Sequence, residues 1–300
     1  MKLDEVPVVL VVAGSKVKSI GRVIANLYDY CGLTLFYIVC PTSSLDEASC
    51  NVADLVKLYD GINIKIVDEN EVIPQLSVHL VNSLMEHLRF DDPKMPGWYY
   101  QQFLKMGFAE YFKDSDYYLI WDADTLLVKR IDFVDSQGRV LLTEGNEYHA
   151  SYFAFFSKLF PHIPISRSSY IAQHMLIFRP HMLSLISEIE EPGQPWYSAI
   201  LAKLDSHTPF QLSEYEFYAN YCLDKYPDKY LSIKRSWFRY GTSFFCCDLK
   251  LADVSGLEDV FDYVAFESWD KPSLLRTVAA RLFVYSKRKF MRLRGELNKI

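Results

Sequence analysis

Two carboxylates, Asp122 and Asp124, interrupt the apolar run YYLIWDADTLLV at 117–128. A charge buried without a partner is expensive, so something must offset this pair. Residues i and i+2 of an extended segment point the same way, and both carboxylates can face one cation, directly or through water. Hard oxygen ligands of this kind suit Mg²⁺ or Mn²⁺, often shared with a substrate's phosphates. A capping or turn role is the structural alternative. Asp114 and Asp116 repeat the spacing, but in a polar turn, where solvated turn residues are the expected reading. Glu214 and Glu216 open the stretch SEYEFYANY, where acidic side chains suit the positive end of a helix dipole. His174 lies in the apolar segment AQHMLIF, a setting in which a hydrogen-bonded core histidine is the plain expectation.

The elements that must position these residues follow from periodicity. Residues 6–13 form a continuous β-branched apolar run, as in a buried parallel strand. Gly14 and Ser15 break it, Lys16 and Lys18 follow, and Ile20, Val23, Ile24 and Leu27 recur at helical spacing. A second strand spans 33–40 and stops at Pro41, a helix covers 45–59, and a third strand covers 63–67. The alternation predicts a parallel sheet with crossover helices. After a loop at 93–97, GWYYQQFLKMGFAEYF reads as a helix carrying Gln101, Gln102 and Lys105. Strands follow at 117–121, 140–143 and 172–178, the last ending at Pro180. Residues 144–170 read as loops and short helices. Helices cover 182–189 and 213–223, with Ser213 as the cap of the second. Asp122 and Asp124 thus stand just past the carboxyl end of a buried strand, where open α/β sheets bind ligands.

Composition narrows the classes. Half of the 300 residues are apolar and 15% are aromatic, a folded chain without a disordered signature. The formal charge of −6 argues against a nucleic-acid binder. Cys31, Cys40, Cys50, Cys222, Cys246 and Cys247 show no zinc spacing and read as reduced thiols of a cytosolic protein. Asp4 and Glu5 precede VPVVLVVAG where a signal peptide carries positive charge, so that run reads as a first strand. No stretch has the apolar length of a membrane span.

The motifs GWYYQQFLK at 97–105, DADT at 122–125, QHMLIF at 173–178 and SEYEFYANY at 213–221 together resemble the GT-A fold glycosyltransferases. They resemble more closely an uncharacterised bacterial glycosyltransferase-like family within that fold. The resemblance reaches from the first strand to about residue 240. It implies one GT-A-type α/β domain, a Rossmann-like, mostly parallel sheet flanked by helices. In such a domain Asp122 would contact the nucleotide ribose or a water on the metal, and Asp124 would ligate Mn²⁺ or Mg²⁺ directly. Lys105 would reach the donor sugar or the first aspartate, and Ser15 and Lys16 would hold the nucleotide. Gln173 and His174 would touch donor sugar or acceptor, while Gln101 and Gln102 would bond sugar hydroxyls or cap loops. Glu214 first, and Glu216 second, would take the acceptor hydroxyl's proton. The family's third metal ligand, commonly a late His, has no counterpart, since the last histidine is His207; Glu267 in FESWDKP is the substitute.

The expected activity is metal-dependent transfer of a sugar from a nucleotide-sugar to a glycan or lipid-linked glycan in bacterial surface polysaccharide synthesis. A nucleotidyltransferase on a similar sheet is the alternative, although no Gly-rich phosphate loop follows the first strand; a non-catalytic glycan-binding protein is another. The expected organisation is a catalytic domain at 1–270, with a nucleotide half at 1–130 and an acceptor half at 131–270. Residues 271–300 follow as a basic amphipathic helix. That segment holds nine Lys/Arg against one acidic residue, +8, which leaves −14 for residues 1–270 within the total of −6. Leu275, Val278, Leu282 and Tyr285 share one helical stripe, so a cytoplasmic protein in peripheral contact with the inner face of a membrane is expected.

Overall fold

A computed structural model describes residues 5–88, 90 and 92–297; of these, the side chains of Ser15 and of 291–297 lie outside the described set. The first half alternates strand and helix: β1 (Val8–Val11), α1 (Ile20–Cys31), β2 (Leu35–Cys40), α2 (Leu45–Val52), α3 (Leu55–Leu58), β3 (Asn63–Asp68), α4 (Glu69–Val72) and α5 (Val78–Met85). Then come α6 (Met95–Tyr111), β4 (Tyr117–Trp121), β5 (Thr125–Leu127), β6 (Val140–Glu144), α7 (Ala150–Leu159), β7 (His174–Phe178), α8 (Arg179–Ile189) and α9 (Trp196–Ala202). The chain closes with α10 (Glu214–Lys225), β8 (Tyr230–Lys234), β9 (Trp237–Phe238), α11 (Gly241–Phe245), β10 (Tyr263–Ala265) and α12 (Leu274–Leu297).

The main sheet has the order β3-β2-β1-β4-β7. The first four strands run parallel, and β7 is antiparallel to β4, with Trp121 opposite His174. All four residues of β1 are buried, because helices cover both faces of a parallel sheet. Gly32 ends α1 at φ +67°, where its N–H donates to the Tyr28 carbonyl; the left-handed turn suits glycine. Ser77 and Ser213 cap α5 and α10 through their side chains. Two small sheets, β5-β10-β9 and β6-β8, extend the molecule beyond the carboxyl end of β4.

Several sequence expectations need correction. The chain at 45–59 is two helices, because Ala53 and Asp54 form a turn between α2 and α3. Pro180 does not stop a strand: β7 ends at Phe178 and the proline sits in the first turn of α8, where its missing N–H costs nothing. The segment 144–170 holds loops and one short helix, as expected: the ten-residue α7, which buries Tyr152, Phe153, Phe155 and Phe156. The six cysteines are free. Among the described residues no helix is long and apolar enough to cross a membrane. The expected basic helix at 271–300 begins at Leu274; residues 298–300 lie outside the described residues.

Candidate functional site

The run after β4 is pinned on both sides. The Asp122 N–H donates to the Gln173 carbonyl at 2.8 Å, and the Thr125 N–H donates to the Asp122 carbonyl at 3.1 Å. The Phe266 N–H donates to the Asp124 carbonyl at 2.7 Å. These bonds turn both carboxylates into a cleft of about 810 Å³ at the carboxyl end of the parallel strands, within the range of roughly 300–1,000 Å³ usual for small-molecule sites.

Each aspartate meets a lysine. Lys16, in the turn after β1, donates to Asp124 Oδ2. Lys105 on α6 donates to Asp122 Oδ1 and to Glu214 Oε1, both at 2.7 Å. Tyr215 OH adds a third contact, donating to Asp122 Oδ1 at 3.1 Å. Burial would lower the Lys105 pKa, but the Asp122 and Glu214 carboxylates outweigh it and hold the ammonium protonated above its ordinary range. Lys16 is raised in the same sense, its burial outweighed by Asp124. Burial raises the Glu214 carboxyl despite Lys105. Asp124 Oδ1 is buried and has no hydrogen-bond partner.

The far wall is built from the small sheet. Arg239 lies over the Trp237 and Trp269 rings, 5.7 and 5.5 Å from their centroids. It donates to Glu267 Oε1 from Nε at 3.0 Å and also pairs with Glu147. Glu267 accepts a further bond from Gln173 Nε2 at 3.2 Å. Burial, then the Asp124 carboxylate, raise its pKa. Gln173 has φ +66°, a left-handed conformation that costs a non-glycine residue about 1–2 kcal/mol. Such local strain clusters at functional sites.

Six carboxylates and four Lys/Arg line the cleft, which leaves it two units negative with His149 neutral. Among the described residues no three His, Cys, Asp or Glu side chains stand together as a ready metal cluster. Even so, the buried open oxygen of Asp124, the adjacent Glu267 and a deficit of two positive charges match one divalent cation.

The cleft gathers most of the expected side chains: Lys16, Gln101, Gln102, Lys105, Asp122, Asp124, Gln173, Glu214 and Glu267 line it. Gln102 does so as a scaffold, its Oε1 accepting from the Glu214 N–H at 3.4 Å, and Gln101 Nε2 donates to the Val11 carbonyl at 3.4 Å. The Ser15 side chain lies outside the described residues. Two expectations fail. His174 is buried outside the cleft, stacked on Trp121 at 5.0 Å, where burial drives its pKa down to about 3. Glu216 is fully buried away from the cleft, accepting from the Ser169 hydroxyl at 2.5 Å and the Tyr170 N–H at 3.1 Å. Burial pushes its pKa up to about 7. Gln173 precedes β7 in a left-handed turn that carries it into the cleft, whereas His174 is the first residue of the strand and packs in the core. Sequence reasoning missed Tyr215, Glu147, Arg239 and Trp269; only Tyr215, inside SEYE, carried a local signal.

A model described as "Family of unknown function (DUF6492)" matches residues 23–246, well over half the chain. The chain belongs to the DUF6492 family. No curated protein matches this DUF6492 sequence. Its fold is similar to that of mouse xyloside xylosyltransferase 1 in its apo form, with TM-score 0.53 and 13% identity over 89% of this chain and 99% of that one. It is also similar to the galactosyltransferase LgtC solved with donor and acceptor sugar analogues, with TM-score 0.51 and 12% identity over 94% of this chain and 95% of that one. The DUF6492 chain therefore has the GT-A-type α/β fold expected from its sequence, a single domain with a mostly parallel sheet flanked by helices.

Proposed function

We propose that this DUF6492 protein is a metal-dependent glycosyltransferase that moves a sugar from a nucleotide-sugar to a glycan or lipid-linked glycan acceptor. The observation that carries the reading is the buried, unpartnered Asp124 Oδ1 in a cleft two units negative at the carboxyl end of the sheet. A nucleoside diphosphate could not enter such a field without added positive charge. The two solved proteins of similar fold, named as a xylosyltransferase and a galactosyltransferase, point the same way.

Asp124 and Asp122, with Glu267 beside them, would hold Mn²⁺ or Mg²⁺, and phosphate oxygens and water would complete the shell. The bound ion would offset charge on the leaving diphosphate. Lys16, once turned from Asp124, supplies a second positive charge to the phosphates. Lys105 stays between Asp122 and Glu214 and fixes both. Gln173 holds the sugar's hydroxyls from the far wall. As the acceptor oxygen bonds to the anomeric carbon and the bond from that carbon to the phosphate oxygen breaks, the acceptor's proton passes to Glu214. Its burial-raised pKa makes it the stronger base. The synthesis of surface polysaccharide is the setting we assign to this transfer.

A thermal-shift screen of nucleotides and nucleotide-sugars, with and without Mn²⁺, tests the reading. A ligand at 100 times its dissociation constant should add about 2.7 kcal/mol. Stabilisation by one nucleoside diphosphate class, present only with Mn²⁺, is expected; no shift with any of them would overturn it.

A further inference from the structure

The helix α12 rests on the domain by a narrow seam. Ala280 and Val284 are buried there, Val284 at 3% exposure. Lys287 Nζ donates to Ser236 Oγ at 2.5 Å, and Arg288 Nε donates to Asp259 Oδ1 at 3.2 Å. The Phe283 ring stacks on Phe238 at 5.8 Å. These contacts use up the side of the helix that faces the protein.

The side turned away is apolar and bare. Leu275 is 84% and Leu282 59% exposed, and Val278 and Tyr285 are exposed with them. At 3.6 residues per turn these four side chains fall within an arc of about 80°, turned from Val284. Arg281 borders the arc about 40° beyond Tyr285, Arg276 lies about 100° beyond Leu275, and Lys289 stands on the arc one turn beyond Tyr285. A helix that only packed against its domain would turn this stripe inward. Here Ala280 and Val284 make the packing, and the larger apolar side chains are left in water. Contiguous exposed apolar surface on a folded protein marks an interaction site.

We infer that this face of α12 lies on an anionic lipid surface. Charge selects the occupant. The segment 271–300 carries +8 against −14 for the rest of the chain, so an anionic surface attracts the helix and repels the body. A second copy of the chain is the poorer partner, because a two-fold contact would set one +8 segment against another. A basic helix with an apolar stripe lies in the interface plane, its apolar face among the acyl chains. Trp269, on the cleft wall, stands five residues before the helix begins, so this docking keeps the cleft close to the lipid. The inference stands independently of the transferase reading.

Co-sedimentation of the full chain with vesicles of phosphatidylglycerol and phosphatidylcholine, or of phosphatidylcholine alone, tests it. Binding to the anionic vesicles only, weakening as salt rises, is expected. Arg276→Glu with Lys289→Glu should weaken it at least about 30-fold, since each lost cation accounts for about 1 kcal/mol. Leu275→Glu with Leu282→Glu should abolish it at the same salt. All four side chains are exposed, so both variants should keep the wild-type urea midpoint, which separates lost docking from lost folding. Absence of binding at low salt, equal binding to both vesicle types, or undiminished binding by the Leu275/Leu282 variant would overturn the inference. So would a dimer in the ultracentrifuge that the leucine variant disperses while no vesicle is bound.

Discussion

Replacing Lys105 with Met removes the one cation shared by Asp122 and Glu214 while keeping the stem of the side chain packed. Both carboxylates lie 2.7 Å from its ammonium, but their fates differ. The Asp122 side chain keeps 20% exposure and can turn to water, whereas that of Glu214 keeps 2% and cannot. Breaking a buried pair on one side costs roughly 3–5 kcal/mol, because a buried charge is left uncompensated. Glu214 can escape only by holding a proton. Its folded pKa is already raised, and loss of Lys105 raises it further. A raised carboxyl keeps its proton in the folded state after the unfolded chain has released it. Stability is therefore lost as pH climbs from the unfolded value near 4.5 toward the folded one. The penalty at pH 7.5 should therefore exceed that at pH 5.5. Urea denaturation of Lys105→Met at the two pH values reads both terms. The double variant with Glu214→Gln should recover most of the loss and remove the pH difference. A Lys105→Met midpoint within about 1 kcal/mol of wild type at pH 7.5, or the same loss at both pH values, would refute the reasoning.

Other outcomes follow from the same geometry. Glu214→Gln should keep Mn²⁺-dependent binding of nucleoside diphosphate, measured by calorimetry, while transfer falls about 10²- to 10⁴-fold; near-normal turnover would move the base elsewhere. Lys16→Met should tighten Mn²⁺ binding by up to about fivefold, since the competing partner of Asp124 is gone; an unchanged Mn²⁺ titration would show that Lys16 and the metal do not share that carboxylate. Glu216, with its pKa pushed up to about 7 by burial, lowers stability as pH rises from about 4.5 to about 7. Glu216→Gln, which still accepts from Ser169 and Tyr170, should abolish that component in urea titrations at pH 5 and 8, and equal midpoint differences from wild type at both pH values would contradict it. His174 acts with the opposite sign, because its pKa is lowered to about 3 and protonation favours the unfolded chain below about 6.5.

What could be read from the sequence depended on how local its cause was. Strands β1, β2 and β4 are buried on both faces, so they appear as unbroken apolar runs, and 117–121 matched to the residue. Strands β5, β9 and β10 have three residues or fewer, too short for a period, and exist because they pair with one another. The antiparallel β7 reads locally like any other buried strand, and its direction is set by the chain path. At the site, the paired aspartates announced themselves by charge in an apolar run, whereas Lys105 and Glu214 were singled out by the motifs that resemble GT-A enzymes and, for Glu214, by its place at a helix start. Glu214 and Glu216 are about 200° apart on a helix, so one helix start could not offer both to the same cleft. Arg239 and Glu147 carry no local signal; they meet only when the β9–β10 sheet folds against the loop after β6. The apolar stripe of α12 was plain in the spacing, but its outward direction depended on Ala280 and Val284 taking the seam.

On the proposed reading, Asp124 holds a metal needed for sugar transfer. Incubating wild type and Asp124→Asn with a panel of UDP-, GDP- and CMP-sugars, with Mn²⁺ or EDTA, and quantifying released nucleotide tests it most directly. Release from one nucleotide-sugar by wild type with Mn²⁺, none with EDTA, and none from an Asp124→Asn protein whose urea midpoint shows it to be folded is the expected result. Release by Asp124→Asn at the wild-type rate, or release by wild type undiminished in EDTA, would contradict it.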